Sequence, residues 1–375
     1  MHRPTWAEIN LDNLAANFGA LRNFLDADVS VMAVVKSDAY GHGAVQCARR
    51  LAAKTEWFGV ALPEEAEELR QSGIERPILC LGGFWRGQET LCLRERIVPV
   101  IYRLDMAESL NQAAHEQNLV ADVHVKIDTG MGRLGVRFDA IREFAERLKS
   151  FENLNIDGLM SHFAAADECD KDVFTNEQIG KFETAVEIFH AKGFRPTWCD
   201  LANSPATLAH PKSWKNLVRI GGALYGIGKD IFPASETVDQ LFPVMRLRSE
   251  ISLLKTVPKG ETLGYGCAFK VERESKIATV PIGYNDGVSR ALSNGGRVII
   301  NGEYLPIVGR VSMDLILVDV TDSTDAKLFD EVLLIGSQNE LTITVEEIAA
   351  RADTISYEIT CGISKRVPRR FKSDS

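Results

Sequence analysis

The sequence predicts an α/β fold in two parts: an N-terminal (β/α)8 TIM-like barrel over residues 1–234 and a mostly β domain over residues 235–375. Three observations predict it. Apolar strand-like runs alternate with helical patterns through eight beats between Val29 and Tyr225, and such alternation implies parallel strands joined by crossovers. Eight beats in about 200 residues suit a closed barrel better than an open doubly wound sheet, the alternative that the pattern leaves open. Beyond Phe232 the texture changes to short strand-like runs separated by turn signals such as Pro258-Lys259-Gly260, Asn285-Asp286-Gly287 and Asn301-Gly302-Glu303. With 375 residues the chain is also longer than one core usually serves.

Residues 5–11 alternate like a short strand, a candidate to pair with the second domain. Asp12 reads as the N-cap of a helix over 13–25. The first barrel strand, 29–35, ends at Lys36, and a glycine-bounded loop leads to a helix starting near Ala44. A strand at 57–62 is followed by Pro63-Glu64-Glu65, proline and acids that suit the first turn of a helix. Further strands are expected at 78–81, 98–102, 121–127, 156–163, 197–201 and 218–225. The helices between them are expected at 89–96, 105–117, 140–150, 176–192 and 205–210. In the second domain strands are expected at 245–256, 275–281, 297–301, 305–308, 315–320 and 331–335, and only 345–352 reads clearly as a helix.

Composition narrows the function classes. The net charge is −9 and no basic stripe appears, which argues against nucleic acid and anionic membranes as partners. The seven cysteines are scattered and form no CxxC pair, which points to reduced thiols in a cytoplasm and to no metal site. Residues 1–6 lack the apolar core of a signal peptide, and no apolar stretch reaches the roughly 20 residues of a membrane span.

In a barrel, functional groups gather at the C-terminal ends of the strands, and the unusual residues of the first domain fall there. Lys36 ends the first strand. A desolvated amine loses proton affinity from its usual pKa of about 10.4 and becomes a nucleophile suited to Schiff-base chemistry. A lone strand-end lysine is usually a solvated cation, but Tyr40, Gly41, His42 and Gly43 follow closely. Lys126 and Arg133 follow the fifth strand, His162 the sixth, and Ser204 the seventh. Arg219, Gly221 and Gly222 lie on the eighth. Singly, Lys126 could be a strand-end cation, His162 a structural imidazole, Ser204 a helix cap, and the glycines a relief of crowding. Their joint placement around one mouth makes a site. The last two barrel loops with a helix N-terminus commonly bind phosphate, a role that Ser204 and the Gly221-Gly222 amides fit.

The stretch Lys36-Ser37-Asp38-Ala39-Tyr40-Gly41-His42-Gly43 resembles the pyridoxal-phosphate lysine motif of bacterial alanine racemases, with Ser37 where alanine is usual. The resemblance runs from Trp6-Ala7-Glu8-Ile9 to Arg366-Val367-Pro368-Arg369. It includes residues 126–135, Pro281-Ile282-Gly283-Tyr284-Asn285-Asp286-Gly287, Gly309-Arg310-Val311-Ser312-Met313-Asp314, and Tyr357-Glu358-Ile359. It implies a barrel plus β domain and a head-to-tail homodimer with shared active sites. It also implies pyridoxal 5'-phosphate bound covalently to Lys36, with Tyr40, Ser204, Tyr357 and the Gly221-Gly222 backbone on the phosphate. Arg219 would meet the pyridine nitrogen, and His162 would link Arg219 to Tyr265. Arg133 would meet the cofactor phenolate and the substrate carboxylate. Tyr265, the second acid/base group beside Lys36, would come from the other subunit, as would Met313 on the carboxylate and Tyr284 at the entrance. Lys126 would be carbamylated, as in some members of the family. Gly264 stands where serine is common, Ser312 where cysteine is common, and Gly222 where a larger apolar residue often sits. The implied reaction is L-alanine to D-alanine interconversion by two-base proton transfer, supplying D-alanine for peptidoglycan. The competing readings are a racemase for serine or another amino acid, a pyridoxal-phosphate decarboxylase of similar architecture, and a non-catalytic carrier of the cofactor.

Overall fold

The computed structural model describes residues 3–323 and 325–373. Met1 and His2, part of the N-terminal stretch considered above, lie outside the described residues. The barrel strands are Ser30–Val34, Trp57–Val60, Ile78–Cys80, Ile97–Ile101, Ala121–Asp128, Leu154–Met160, Trp198–Asp200 and Leu217–Ile220. Each pairs in parallel with the next. The last returns to the first through Leu217 opposite Ser30. The sheet therefore closes, and the open doubly wound alternative is excluded. Because side chains alternate along a strand, Met32, Trp57, Leu79, Val100, Met160 and Leu217 form one apolar cluster inside the barrel. Their neighbours Ala33, Phe58, Ile78, Ile101, Leu159 and Val218 join a separate core with the surrounding elements.

The second sheet runs in the order Leu253–Val257, Ser275–Val280, Ile316–Asp319, Glu303–Val308, Arg297–Ile300, Glu331–Gln338, Met245–Glu250, Thr5–Asn10, Arg369–Lys372. Thr5–Asn10 lies antiparallel to Met245–Glu250 and parallel to Arg369–Lys372. The first and last strands of the chain thus meet side by side in this sheet.

Several local expectations need correction. Asp12 is not the helix cap. Asn10 is extended, and its Oδ1 accepts from the amides of Asp12 and Asn13, each at 2.9 Å, so the helix Leu11–Phe24 starts earlier. The run 245–256 is two strands, because Ile251 turns inward, fully buried, and its amide bonds to Asp330 O. Ser204 is not the cap of its helix either. The helix spans Ser204–Ala209 and Asn203 caps it, its side chain accepting from the Ala206 amide at 3.1 Å. Two further short α-helices lie in residues 235–375, Glu236–Asp239 and Ser356–Gly362; the latter escapes a reading for amphipathic periods because it is short, and its Thr360 packs against Gly41 of the Lys36 loop. Among the described residues no helix is long and apolar enough to cross a membrane.

Candidate active site

The loop after the first barrel strand is not a simple glycine loop. Ser37, Asp38, Ala39 and Tyr40 all adopt left-handed helical backbone, with φ of 54°, 53°, 54° and 55°. For L-residues this costs roughly 1–2 kcal/mol each, so the surroundings must hold it. The Ala39 amide donates to Val35 O at 2.8 Å and Gly43 N to Asp38 O at 2.9 Å. Asp38 Oδ1 accepts from Ala44 N at 2.7 Å, and Glu65 Oε1 accepts from Ser37 N at 2.6 Å. Arg369 donates to Gly41 O at 3.0 Å, tying the loop to the final strand. Gly41, at φ 84°, has no room for a side chain: a Cβ would lie 2.2 Å from Thr360 O of the Ser356–Gly362 helix. His42 is buried and stacks on Tyr225 at 4.6 Å, with its Nδ1 on Ala39 O at 2.9 Å. Burial lowers its pKa to about 4. It is a structural imidazole that shapes the loop from behind.

This loop sets Lys36 at the rim of a cavity of about 610 Å³ at the barrel mouth, within the usual range of about 300–1,000 Å³ for small-molecule sites. Tyr40, Ser204, Gly221, Gly222 and Tyr357 line one part of it, and Lys126, Arg133, His162 and Arg219 also face it. The amide of Gly221 donates to Ser204 Oγ at 2.9 Å, a contact possible because Asn203 has taken the capping role. A Cβ on Gly221 would lie 2.3 Å from Tyr40 Oη, and one on Gly222 2.6 Å from Tyr357 Oη. The two glycines therefore let two phenols close over the backbone. Neither phenol hydroxyl has a protein hydrogen-bond partner among the described residues, and burial raises the pKa of both, so both stay protonated donors. Neutral hydroxyl donors beside glycine amides suit a phosphate, which accepts many hydrogen bonds. The residues present thus fit pyridoxal phosphate.

Electrostatics separates the two lysines. Burial, then Arg133 and Arg219, lower the Lys36 pKa. Lys126 is 5% exposed, and burial followed by Arg219 and Arg133 brings its pKa to about 8. Its Nζ reaches Leu81 O only at 3.5 Å. Arg133 is exposed on a loop whose turn is pinned by Asp128 Oδ1, which accepts from Gly130 N and Gly132 N, both at 3.0 Å.

Arg219 is the most constrained group. Its Nη2 donates to Ser161 O at 2.7 Å, to His162 Nδ1 at 3.1 Å and to Leu201 O at 3.2 Å, and its Nη1 pairs with Asp200. A guanidinium only donates, so His162 Nδ1 accepts and its proton sits on Nε2. Burial and then Arg219 push the His162 pKa well below its ordinary value, which keeps the ring neutral. Asp200, and His124 behind it, were not singled out from the sequence. The available signal was period two: Asp200 shares the inward register with Trp198, as His124 does with Lys126, and a buried carboxylate at that register demands a partner.

Tyr265, Tyr284 and Met313 do not line this cavity in their own chain. They are 71%, 43% and 50% exposed. Their loops adjoin one another. Tyr284 N donates to Ser312 O at 2.9 Å and Asn285 N to Met313 O at 3.1 Å. A Cβ on Gly264, beside Tyr265, would lie 3.0 Å from Arg310 N.

A closed barrel with a strand-end lysine beside a rim of hydroxyls and glycine amides that suits phosphate, joined to a β domain, defines a class of barrel-plus-β proteins. The chain belongs to the alanine racemase family: residues 9–229 match the alanine racemase N-terminal domain and residues 244–371 the alanine racemase C-terminal domain. It is 43% identical over 374 residues to an alanine racemase of Halothermothrix orenii, covering 99% of this chain and 97% of that one. A solved alanine racemase from Bacillus anthracis with bound L-Ala-P is 33% identical at a TM-score of 0.92, covering 100% of this chain and 96% of that one. Another, from Bartonella henselae with covalently bound pyridoxal phosphate, is 30% identical at 0.88, covering 98% and 99%.

Proposed function

We propose that this protein interconverts L-alanine and D-alanine with pyridoxal 5'-phosphate held covalently on Lys36. One observation carries the reading: a lysine of lowered proton affinity shares a cavity with a set of neutral phosphate donors, Ser204, Tyr40 and Tyr357. Bound there, the cofactor supplies the electron withdrawal that makes an amino acid's α-proton acidic. The chain supplies the rest. Ser204, the two phenols and the Gly221-Gly222 backbone grip the phosphate. Arg219 cannot release its proton, so it offers a fixed hydrogen bond to the ring nitrogen. Arg133 suits a bidentate hold on a carboxylate. The Lys36 amine would take the α-proton on one face or return it, and burial with Arg133 and Arg219 lowers its proton affinity in the direction that this role needs.

The opposite face needs a second acid/base group. We assign it to Tyr265 of a second subunit, with Met313 beside the carboxylate and Tyr284 at the entrance. The support is that all three are exposed, adjacent and outside their own chain's cavity. The Nε2–H of His162 would then face the Tyr265 oxygen and favour its anionic form. In this arrangement residues 1–234 hold most of the cofactor, Tyr357 of residues 235–375 completes the phosphate end in the same chain, and the Tyr265, Tyr284 and Met313 loops serve the partner's site. Tyr357, which lines the cavity, would crowd a larger side chain and so favours alanine. We read it as a cytoplasmic enzyme supplying D-alanine for peptidoglycan, a reading with which the family is consistent. Incubation with pure L-alanine tests the reading. D-alanine should accumulate to near equality; loss of amino acid would indicate a decarboxylase, and no change a carrier.

A further inference from the structure

One layer below the cavity lies a buried polar cluster that the proposed reaction does not use directly. Asp200 and His124 are both 0% exposed. One Asp200 oxygen takes the Nη1–H of Arg219, and the other faces His124 Nδ1 at 3.3 Å. Among the described residues His124 Nε2 has no partner. Its ring is wedged where Gly158 lacks a side chain, since a Cβ there would lie 2.4 Å from the imidazole, and it sits 5.4 Å from the Trp57 ring. Gly158 thus leaves the room that the ring occupies, and in this pose its Nδ1 faces Asp200.

A fully buried carboxylate needs a cation or further donors to be tolerated. Arg219 and His124 are those groups. The reciprocal effect falls on Arg219. Its Nη2 is engaged by three acceptors of the barrel wall. Because the guanidinium is planar, fixing Nη1 as well fixes its plane. We propose that Asp200, backed by His124, is a positioning residue that locks the Arg219 guanidinium plane, so that its remaining N–H edge is presented to the cavity in one pose. The inference rests on the racemase reading only for what that edge meets. Asp200 also offsets part of the positive charge that Arg219 and Arg133 impose on Lys126.

The test uses the holoenzyme carrying Asp200→Asn, which keeps the shape and removes the charge. Nitrogen-15 NMR of the arginine side chains reads the rotation of the Arg219 guanidinium, a property that general loss of stability does not release selectively. Rotation should accelerate by at least about tenfold as the charge-assisted bond is lost. The kcat for alanine should fall about tenfold with KM changed by less than about threefold, the signature of an interaction that acts in the transition state. Unchanged rotation overturns the proposal, whatever happens to kcat. Should Asp200→Asn fail to fold, His124→Phe carries the test. It removes the Nδ1–H from Asp200 while keeping a ring in the wedge, and should loosen Arg219 in the same direction by a smaller factor. Restricted rotation in that variant overturns the proposal equally. Released rotation in a protein whose parent leaves L-alanine untouched upholds the positioning role and sinks the racemase reading instead.

Discussion

The barrel mouth and the loop cluster of the β domain are built on opposite terms. At the mouth, side chains are held by their own chain. Arg219 reaches four acceptor groups, and Tyr40 sits between Tyr225 at 5.2 Å and Tyr357 at 5.8 Å. In the β domain the backbone is fixed but the side chains are not. Gly309 N donates to Asn294 Oδ1 at 2.6 Å, and the 283–285 turn bonds to Ser312 and Met313, yet Tyr265 and Met313 stand largely exposed. Ordered backbone carrying large exposed side chains suits an interface, because the backbone part of the ordering cost is already met and only the side chains remain to be ordered on association. The contrast suggests half a site waiting at each location. It can be broken or sharpened by experiment.

The largest effect is expected at the mouth. Lys36→Ala should lower kcat by at least about a thousandfold, as loss of a directly reacting group does. Borohydride reduction of the wild type followed by peptide mapping should place the pyridoxyl group on Lys36. A label on Lys126 would sink the assignment. Next comes the loop cluster. Tyr265→Phe should cost about a hundredfold or more, the usual weight of a positioned acid/base group. The comparison sharpens when the two inactive proteins are mixed. Random exchange makes half of the dimers mixed, each with one intact site, so activity should return to about a quarter of the wild-type value. No recovery after proven exchange would place the loop cluster outside the site.

The two regions were unequally legible in the sequence. The strand-helix beats and the strand-end residues Lys36, Lys126, His162 and Arg219 could be read because barrel geometry ties strand ends to one mouth. The left-handed turn at Ser37–Tyr40 could not, since its local bonds are joined by long-range partners such as Glu65 and Arg369 that the local sequence does not show. Asp12 reads as a cap because both Asn10 and Asp12 suit the role, and the side chain of Asn10, which accepts from the Asp12 and Asn13 amides, fills it. Asp200 was missed because its meaning depends on Arg219 and on His124 across the barrel. The residues of the loop cluster carry no local signal of chemistry; only the resemblance pointed to Tyr265, Tyr284 and Met313.

A smaller effect separates Lys126 from Lys36. With a pKa of about 8, Lys126 carries a useful neutral fraction near neutrality, and a neutral amine can react with dissolved carbon dioxide. We propose that it is carbamylated, giving an anion able to hold Arg133 through two oxygens. Lys126→Ala should then lower activity by about tenfold, in the range of a lost charge-assisted contact, and chloride or acetate should restore part of it. Carbon-13 NMR of enzyme equilibrated with labelled bicarbonate should show one carbamate resonance that is absent in the variant. An unmodified ammonium in a well-resolved density map at neutral pH would overturn the assignment.

The smallest effect is on stability, and its sign follows from the same pKa. Lys126 binds its proton less tightly in the folded chain, at a pKa of about 8, than at its ordinary value of 10.5. Below pH 8 both folded and unfolded chains carry the proton, and the folded chain bears the full cost of the buried charge. Between pH 8 and 10.5 the folded chain sheds the proton first, and the cost declines as pH rises. Lys126→Met removes the charge at nearly constant volume. In carbon dioxide-free buffer it should therefore stabilise the fold most below pH 8, by an amount on the order of 2 kcal/mol, and progressively less towards pH 10.5. Urea unfolding at pH 7 and at pH 10 reads the difference. Bicarbonate should narrow the gap at pH 7, because carbamylation replaces the repelled cation with an anion beside Arg133 and Arg219. A gain that is equal at both pH values would show that the methionine merely packs better, and that charge repulsion at the mouth does not set the state of Lys126.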